Sequence, residues 1–349
     1  MKKVRAIVVG TGGFARHHIR TMLEMKRRTA LVGFVEPAEA SRQATAALFA
    51  ERGGPSPPFY GTVRELVQAQ GPADAALICS PHKFHFENAK DCLLNGMDVL
   101  IEKPMVMNAR EAQRLIALRD QTKRLVMVAF PGSLSPAIWK AKALIAQGAI
   151  GKVSAIAAFV HQAWKTRTTG GTWRQIPELS GGGFLFDTGS HMINTVVDLM
   201  GADVVSVSAL MDNRGTPVEI TSSVSGRASN GILFSLAGVG DSIQCISQVV
   251  VFGESGLLKT NVWGGNLFIK RSQDPDFSPV PFPKSRGPWE QFLRVREGRR
   301  PNPCPPEVGL RFAQLMDMIR ESAATGRTVV ARTRRTCARS SLRWVRKKA

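Results

Sequence analysis

The sequence is poor in the features that mark secreted and metal-binding proteins. Its five cysteines are odd in number and scattered, and no two of them form a CxxC pair. This pattern argues against a disulfide framework and a zinc site, and it predicts reduced thiols in a reducing compartment. The six histidines include no HExxH motif and have no companion group of cysteines, so we expect no metal site.

Long apolar segments are also missing. No apolar run approaches the roughly 18 residues that a membrane-spanning helix needs. No secretory signal is evident either, since Met1-Lys2-Lys3 leads directly into the apolar run Val4–Val9. We therefore expect a cytoplasmic protein.

The composition is that of a globular protein with a basic end. At 349 residues, with 44% hydrophobic and 21% charged residues, the chain suits two domains. The formal net charge is +20, but residues 327–349 alone carry nine Lys or Arg and no acid. Such a tail can contact phosphates, yet the body has no nucleic-acid-binding motif. We interpret residues 331–349 as a disordered extension.

A glycine turn follows the first predicted strand. Val4–Val9 ends in Gly10-Thr11-Gly12-Gly13-Phe14-Ala15, after which apolar residues recur at helical spacing. Gly10 permits a tight turn, Gly12 lets the backbone approach a pyrophosphate, and Ala15 allows close helix packing. The amino end of the helix would then face the phosphates of a dinucleotide.

An acidic residue stands near the spacing expected for binding the ribose. Glu36 ends the apolar run Leu31–Val35, about 25 residues past the first glycine. Its carboxylate would accept hydrogen bonds from ribose hydroxyls and repel a 2′-phosphate, so NAD is preferred. A solvated residue at a strand end is the structural alternative, and Arg42 nearby leaves NADP possible.

The order of predicted elements indicates two kinds of sheet. Strands and helices alternate over residues 1–130, which predicts a doubly wound parallel sheet of the α/β class. Residues 131–330 contain runs of strands from Val204 to Phe268 and a final helix, Pro306–Thr325, which predicts a large, mainly antiparallel sheet. This chain has only a few helices in that region, and they can cover one face of the sheet but not both. We therefore expect a homodimer or homotetramer.

Two short stretches carry the candidate chemistry. The strand Val99–Ile101 ends in Glu102-Lys103-Pro104, and the proline holds Lys103 at the carboxyl edge of the sheet, where such sheets bind ligands. Downstream of Gly181-Gly182-Gly183, Asp187 and His191 are four residues apart and would share a face in the first turn of a helix. A carboxylate placed there can orient an imidazole and stabilise its charged form.

With these motifs in this order, the sequence resembles the Gfo/Idh/MocA family, which includes glucose-fructose oxidoreductase and inositol dehydrogenase. The resemblance rests on the glycine turn, Ser80-Pro81 with His85, Glu102-Lys103-Pro104, the stretch from Gly182 to His191, and Phe252–Gly256. It implies a Rossmann domain followed by an open α/β domain. It also implies NAD(P) at the sheet edge with a sugar, inositol or similar polyol above the nicotinamide.

The resemblance further implies roles for individual residues. The catalytic group is Lys103, Asp187 and His191. Cofactor contacts are implied for Gly10, Gly12, Gly13, Phe14, Ala15, Glu36, Ser80, Pro81, His85, Glu102 and Lys103. Substrate contacts are implied for Lys103, His161, Trp173, Arg174, Asp187 and His191. A buried aromatic residue or a surface arginine explains Trp173 and Arg174 nearly as well.

The expected activity is hydride transfer between a secondary alcohol of a sugar, inositol or related polyol and a nicotinamide. Two departures from the family pattern stand out: Ala129–Gly132 lacks an arginine that many members carry there, and the basic tail matches nothing in the family. A glycosidase that uses bound NAD for transient oxidation is one alternative. A dinucleotide-binding regulator is another, although a regulator has no use for Lys103, Asp187 and His191 together. A nucleic-acid binder rests on the tail alone.

Overall fold

A computed structural model of the chain describes residues 2–331. The expectation of a disordered tail therefore lies outside the described residues from Arg332 onward. No helix in the described part is both long and apolar enough to cross a bilayer. The cysteines in this part are all free thiols: Cys79, Cys92, Cys245 and Cys304.

The first domain contains a six-stranded parallel sheet, as the alternating pattern predicts. Its strands are β1 (Val4–Val9), β2 (Thr29–Val35), β3 (Phe59–Tyr60), β4 (Ala75–Ile78), β5 (Asp98–Ile101) and β6 (Val126–Val128). They lie in the order β3-β2-β1-β4-β5-β6 within the described residues, with every neighbouring pair parallel. The strand order reverses between β1 and β4, so the crevice at their carboxyl ends is the natural ligand site of this sheet.

Five helices connect these strands: α1 (Gly13–Glu24), α2 (Glu39–Ala50), α3 (Val63–Gln70), α4 (His85–Leu94) and α5 (Ala109–Thr122). Asn108 caps α5, since its side chain accepts a hydrogen bond from the Glu111 N–H at 3.0 Å. The Glu111 carboxylate accepts from the Met107 N–H at 3.1 Å rather than from Asn108. The reciprocal bond of a capping box is therefore shifted here by one residue.

The second sheet is large and mainly antiparallel, which confirms the predicted fold class. Its strands are β7 (Val153–Ala163), β8 (Val204–Asp212), β9 (Thr221–Ala228), β10 (Leu233–Val239), β11 (Asp241–Gly253), β12 (Gly256–Thr260), β13 (Leu267–Arg271), β14 (Ser278–Pro279) and β15 (Val329–Val330). Their order over the described residues is β14-β13-β12-β11-β7-β10-β9-β8-β15. Only the β7–β10 pair in this described sheet is parallel.

Eight further helices follow the first sheet in the described chain. They are α6 (Pro131–Leu134), α7 (Pro136–Ala146), α8 (Trp164–Thr168), α9 (Pro177–Ser180), α10 (Phe184–Asp187), α11 (Gly189–Met200), α12 (Pro288–Arg296) and α13 (Pro306–Thr325). The predicted helix at α13 is confirmed, and Gly326 ends it in the left-handed conformation. The sequence did not predict α12, which begins with Pro288 at its first position.

The chain returns to the first domain after the second sheet. The indole N–H of Trp289 donates to Thr29 Oγ1 at 2.9 Å. Residues 302–304 bond the outer edge of β6: the Asn302 side-chain amide donates to Val126 O at 2.8 Å, and the Val128 N–H donates to Cys304 O at 2.9 Å. Segments from the second predicted domain therefore complete the first domain.

Candidate active site

A cavity of about 920 Å³ lies at the carboxyl edge of the first sheet and is lined by residues of both sheets' domains. Among the predicted cofactor residues, its lining includes Phe14, Ser80, His85, Glu102 and Lys103. The lining omits Gly10, Gly12, Gly13, Ala15, Glu36 and Pro81. A dinucleotide is long enough to reach from this cavity along the glycine turn to β2, so the two groups can serve opposite ends of one cofactor.

The glycine turn fits a pyrophosphate. Gly10 has a φ of +83°, and a Cβ there would lie 2.6 Å from the Ser80 nitrogen, so only glycine fits between β1 and β4. A Cβ on Gly12 would meet nothing within 4 Å, so the backbone faces open space. The amino end of α1 has no side-chain cap and no acid in its first turn. Its free N–H groups are thus suited to an anion.

Glu36 lies beside this turn at the end of β2. Its carboxylate is buried and accepts hydrogen bonds from the Thr11 N–H at 2.7 Å and from the Ala38 N–H at 2.9 Å. The Arg42 side chain donates to the main-chain oxygen of Glu36. Glu36 is therefore not the solvated residue of the structural alternative. It holds the turn, and its remaining lone pairs are available for a ribose.

Glu102 is fixed by a histidine that the sequence reasoning did not single out. Nε2 of the buried His18 lies 2.8 Å from Glu102 Oε1, and the Lys103 N–H donates to Glu102 Oε2 at 3.1 Å. His18 follows Ala15 by three residues on α1, so helical spacing from the glycine turn was the available signal.

His85 links the loops that follow β4 and β5. Its Nδ1 lies 2.9 Å from Pro104 O and its Nε2 lies 2.8 Å from Ser80 O. Burial lowers the pKa of His85, although both carbonyl groups act in the opposite direction. Because both ring nitrogens face main-chain oxygens, neither is left to bond a cofactor. The structure gives His85 a role in positioning Ser80 and Pro104.

The carboxylate of Asp187 is the centre of the cavity's charged cluster. Its Oδ1 accepts from Lys103 Nζ at 3.1 Å, and Lys103 Nζ also donates to the main-chain oxygen of Asp187 at 3.0 Å. Its Oδ2 accepts from Trp164 Nε1 and from Arg174 Nε, each at 2.9 Å. Burial opposes ionisation of Asp187, but the charges of Lys103 and Arg174 outweigh it and hold its pKa well below the usual value.

His191 is brought to the same cavity but does not bond Asp187, contrary to our expectation. Asp187 ends the one-turn helix α10, while His191 lies in the first turn of α11, so the two residues do not share one helix. Within residues 2–331, His191 Nδ1 is buried and has no hydrogen-bond partner. Burial and the nearby charge of Lys103 lower the pKa of His191 well below 6.5, so its ring is neutral at pH 7.

Of the predicted substrate residues, His161 lies on β7, whereas Trp173 and Arg174 lie in the segment beyond it. Trp173 and Arg174 line the cavity, with the Arg174 guanidinium 4.4 Å from the Trp173 ring centroid. His161 is not among the residues that line it, and its contact with a substrate stays a prediction. Side chains alternate along a strand, so His161 lies beside Phe159 on one face while Gln162 faces the cavity.

His82 is a second cavity residue that the sequence reasoning noted only as a histidine without metal partners. Its Nδ1 lies 2.7 Å from Ser180 O, and its Nε2 lies 3.9 Å from Asp187 Oδ1. Burial lowers the pKa of His82 to about 3, so the ring is neutral and Nδ1 carries the proton that is donated to Ser180. Its position next to Pro81, in a motif already identified, was the signal.

Glu219, also missed, holds the helix that presents Asp187. Its Oε2 accepts from the Gly183 N–H at 2.6 Å, its Oε1 from the Phe186 N–H at 3.2 Å, and its main-chain oxygen from the Phe184 N–H at 2.8 Å. These bonds satisfy N–H groups at the start of α10 that have no partner inside so short a helix. Burial raises the pKa of Glu219 above its ordinary value.

Comparisons with protein families give matches in both halves of the chain. Residues 4–130 match a family model described as "Oxidoreductase family, NAD-binding Rossmann fold". Residues 138–259 match the model of the GFO/IDH/MocA C-terminal domain.

Individual relatives are distant. Oxidoreductase P35 of Formosa agariphila is 24% identical over 257 residues, which cover 70% of this chain and 78% of that protein. Trans-1,2-dihydrobenzene-1,2-diol dehydrogenase of Xenopus tropicalis is 34% identical over 141 residues, which cover 40% of this chain and only 41% of the relative. The crystal structure of the WlbA dehydrogenase of Bordetella pertussis, in complex with NADH and UDP-GlcNAcA, is similar with a TM-score of 0.78 at 21% identity. That match covers 95% of this chain and 99% of the other, and it concerns the fold.

Proposed function

We propose that this chain, which belongs to the Gfo/Idh/MocA family of NAD-binding oxidoreductases, oxidises a secondary alcohol of a sugar, inositol or related polyol. The observation that carries the proposal is the convergence of Lys103, Asp187 and His191 on one cavity at the carboxyl edge of the dinucleotide-binding sheet. The diol dehydrogenase among the relatives supports a substrate with neighbouring hydroxyl groups.

The first domain's own groups supply the cofactor contacts in this proposal. A bound nicotinamide dinucleotide supplies the hydride acceptor. The free N–H groups of the glycine turn and of α1 hold the pyrophosphate, and Glu36 accepts from the adenosine ribose. Ser80 and Glu102 line the cavity at the nicotinamide side. The negative charge of Glu36 favours NAD over NADP.

His191 is the base in the proposed mechanism. A neutral imidazole accepts a proton, and the lowered pKa keeps this ring neutral across the physiological range. Nδ1 is buried, so the nitrogen that a substrate hydroxyl can reach is Nε2, on a ring that lines the cavity. The hydroxyl proton passes to His191 as the alcohol is oxidised.

Lys103 holds the substrate oxygen. Two of the three ammonium N–H donors bond Asp187, through Oδ1 and the main-chain oxygen, which leaves one donor for the alcohol. The positive charge stabilises the developing alkoxide. Asp187 therefore positions Lys103 rather than His191. The exchanged assignment, with Lys103 as base, is disfavoured because Lys103 Nζ already donates two hydrogen bonds to Asp187, which fits it as a donor rather than as a proton acceptor.

The test is a dehydrogenase screen over inositols, aldoses and uronic sugars, followed by NADH absorbance. On the best substrate, Lys103→Met and His191→Ala should each lower kcat by roughly 10²–10⁴. NAD affinity should stay within a few-fold, because neither residue belongs to the pyrophosphate or ribose site. Near-normal turnover in either variant would remove that residue from the proposed mechanism.

The second sheet supports a proposal of self-association. On its strands Val207 and Val249 are buried, while Leu210 and Phe252 are 73% and 37% exposed on the opposite face. We propose that a second copy covers this apolar face. Sedimentation at micromolar concentration should give a dimer or tetramer. A monomer alone would contradict the proposal.

A further inference from the structure

The cavity wall from the second domain has few free hydrogen-bond acceptors. Both oxygens of the Asp187 carboxylate are engaged, by Lys103 on one side and by Trp164 and Arg174 on the other. Gln162 Oε1 accepts from the Thr188 hydroxyl at 3.2 Å. The strongest acceptors of this wall are therefore already used within the protein.

The hydroxyl groups of the same wall also bond the protein itself. Thr168 Oγ1 donates to Trp164 O at 2.9 Å and accepts from Gln175 Nε2 at 2.8 Å. Thr172 Oγ1 donates to Thr168 O at 3.0 Å. A neutral polyol, whose hydroxyls need acceptors as well as donors, meets on this wall oxygens that already take part in hydrogen bonds within the protein.

Guanidinium donors remain free on this wall. Arg174 uses only Nε, toward Asp187, and its two Nη atoms have no hydrogen-bond partner among residues 2–331. Arg167 uses Nε to donate to Ala163 O at 3.0 Å, and no carboxylate of the described chain lies within ion-pair distance of it. By contrast, Arg286, which also lines the cavity, is paired with Glu290.

The surplus of positive charge and of free N–H donors indicates the kind of ligand that this wall binds. The lining carries Lys103, Arg167 and Arg174 against the carboxylates of Asp187 and Glu102, so one positive charge is in excess even when Arg286 is left out because it is paired with Glu290. We propose, on the basis of the function proposed above, that the substrate is a polyol bearing a carboxylate, which Arg167 and Arg174 bind. A carboxylate only accepts hydrogen bonds, and it matches the planar fork of a guanidinium.

A carboxylate fits this wall better than a phosphate ester does. The charge of Lys103 is committed to the reacting oxygen and to Asp187, and Arg174 is partly neutralised by the same carboxylate. The wall is left with little more than the charge of Arg167, whereas a phosphate monoester carries about two negative charges at pH 7. A monoanion is therefore the expected ligand.

The test compares matched sugars. D-glucose, D-galactose and D-mannose are each assayed with the corresponding uronate and 6-phosphate, by kcat/KM for NADH formation at fixed ionic strength. The best uronate should exceed its parent aldose by roughly tenfold to hundredfold, the worth of hydrogen bonds to a charged group. An equal or better aldose would overturn the inference. A better 6-phosphate would overturn the choice of carboxylate.

Two variants locate the effect. Arg167→Gln should reduce the uronate-to-aldose ratio by about tenfold. The matched control Arg286→Gln removes a cavity cation that already has a carboxylate partner, and it should leave the ratio unchanged. Equal ratios in the two variants would overturn the assignment of Arg167.

Calorimetry on the NADH-loaded protein separates this inference from the proposed reaction. If no sugar is oxidised but the uronates bind to wild type and lose affinity in Arg167→Gln, the carboxylate site stands and the proposed dehydrogenase activity fails. If aldoses are oxidised and uronates neither react nor bind, the activity stands and the carboxylate site fails. Absence of both binding and turnover overturns the inference.

Discussion

The carboxylate of Glu219 accepts a hydrogen bond from the Gly183 N–H at 2.6 Å, across 36 residues of sequence. Through this bond and the one from Phe186, Glu219 fixes the start of α10, whose last residue is Asp187. Asp187 in turn holds Lys103. A residue outside the cavity lining thus sets the position of the proposed alkoxide-binding group.

We expect Glu219→Ala to lower kcat by about tenfold to hundredfold, because a displacement of about 1 Å at the reacting groups has an effect of that size. NAD affinity should be unchanged, since the described hydrogen bonds of the Glu219 side chain go to α10 and its N-cap and not to the glycine turn. Steady-state kinetics and a NAD titration measure the two effects. Glu178→Ala, at an exposed acid on the neighbouring α9, is the control. An equal loss in both variants would contradict a specific role for Glu219.

The pH profile reports on His191. Burial and Lys103 lower its pKa, so the neutral base persists as the pH falls through 6.5. We expect kcat/KM for alcohol oxidation to stay level from pH 8 to below 6.5 and to decline only at lower pH, where the ring becomes protonated. A midpoint at or above 6.5 would show that another group limits the reaction. Residual activity of Lys103→Met should have its midpoint at higher pH, because the neighbouring charge is gone.

Acid should destabilise the fold through His82. In the native state the pKa of His82 is about 3, whereas an unfolded chain binds a proton on this ring near 6.5. The unfolded state therefore binds more protons between these values, and the free energy of unfolding falls as the pH decreases from 6.5 toward 3. The slope is up to about 1.4 kcal/mol per pH unit for one such group.

Urea denaturation at pH 7 and pH 5 measures this loss. We expect His82→Asn to lose less stability than wild type between the two pH values, since one group that takes up a proton on unfolding is removed. His17→Asn, at an exposed position of α1, controls for removal of an imidazole alone. A loss in His82→Asn as large as that of the wild type would mean that His82 is not held neutral.

Cofactor choice depends on the charge of Glu36. Its carboxylate also holds the glycine turn, so Glu36→Ala changes both the turn and the charge. Glu36→Gln keeps an acceptor for Thr11 while removing the charge that repels a 2′-phosphate. We expect wild type to bind NAD more tightly than NADP, and Glu36→Gln to reduce that preference by about tenfold. Dissociation constants from protein fluorescence test this, and tighter NADP binding by wild type would refute the role of Glu36.

Local sequence was sufficient to predict those helices and strands whose conformation depends on neighbouring residues alone. The strand Val4–Val9 and the helix Pro306–Thr325 were each predicted from neighbouring residues. The strand Thr221–Ala228 lies within the region predicted to be rich in strands, but its own bounds were not predicted, because it is rich in serine and has little apolar signal. It exists because β8 and β10 pair with it on both sides.

The residues of the site could be predicted from the sequence, but the hydrogen bonds between them could not. Lys103, Asp187 and His191 come together as expected, yet the partners of Asp187 include Trp164 and Arg174, which lie 23 and 13 residues away in sequence. A spacing of four residues suggested a bond between Asp187 and His191, but a break between two helices separates them. His161 lies outside the lining because a one-residue difference on a strand reverses the face.

The bonds from residues 302–304 to β6 have a consequence for synthesis of the protein. They cover the edge of the first sheet, and an open strand edge is a template for pairing with other chains. A ribosome that has completed residue 130 still needs on the order of ten seconds or more to reach residue 304, at about 5–20 residues per second. During that interval the nascent dinucleotide-binding domain exposes an unpaired strand. A fragment ending at residue 130 keeps that edge permanently and should aggregate where the whole chain does not.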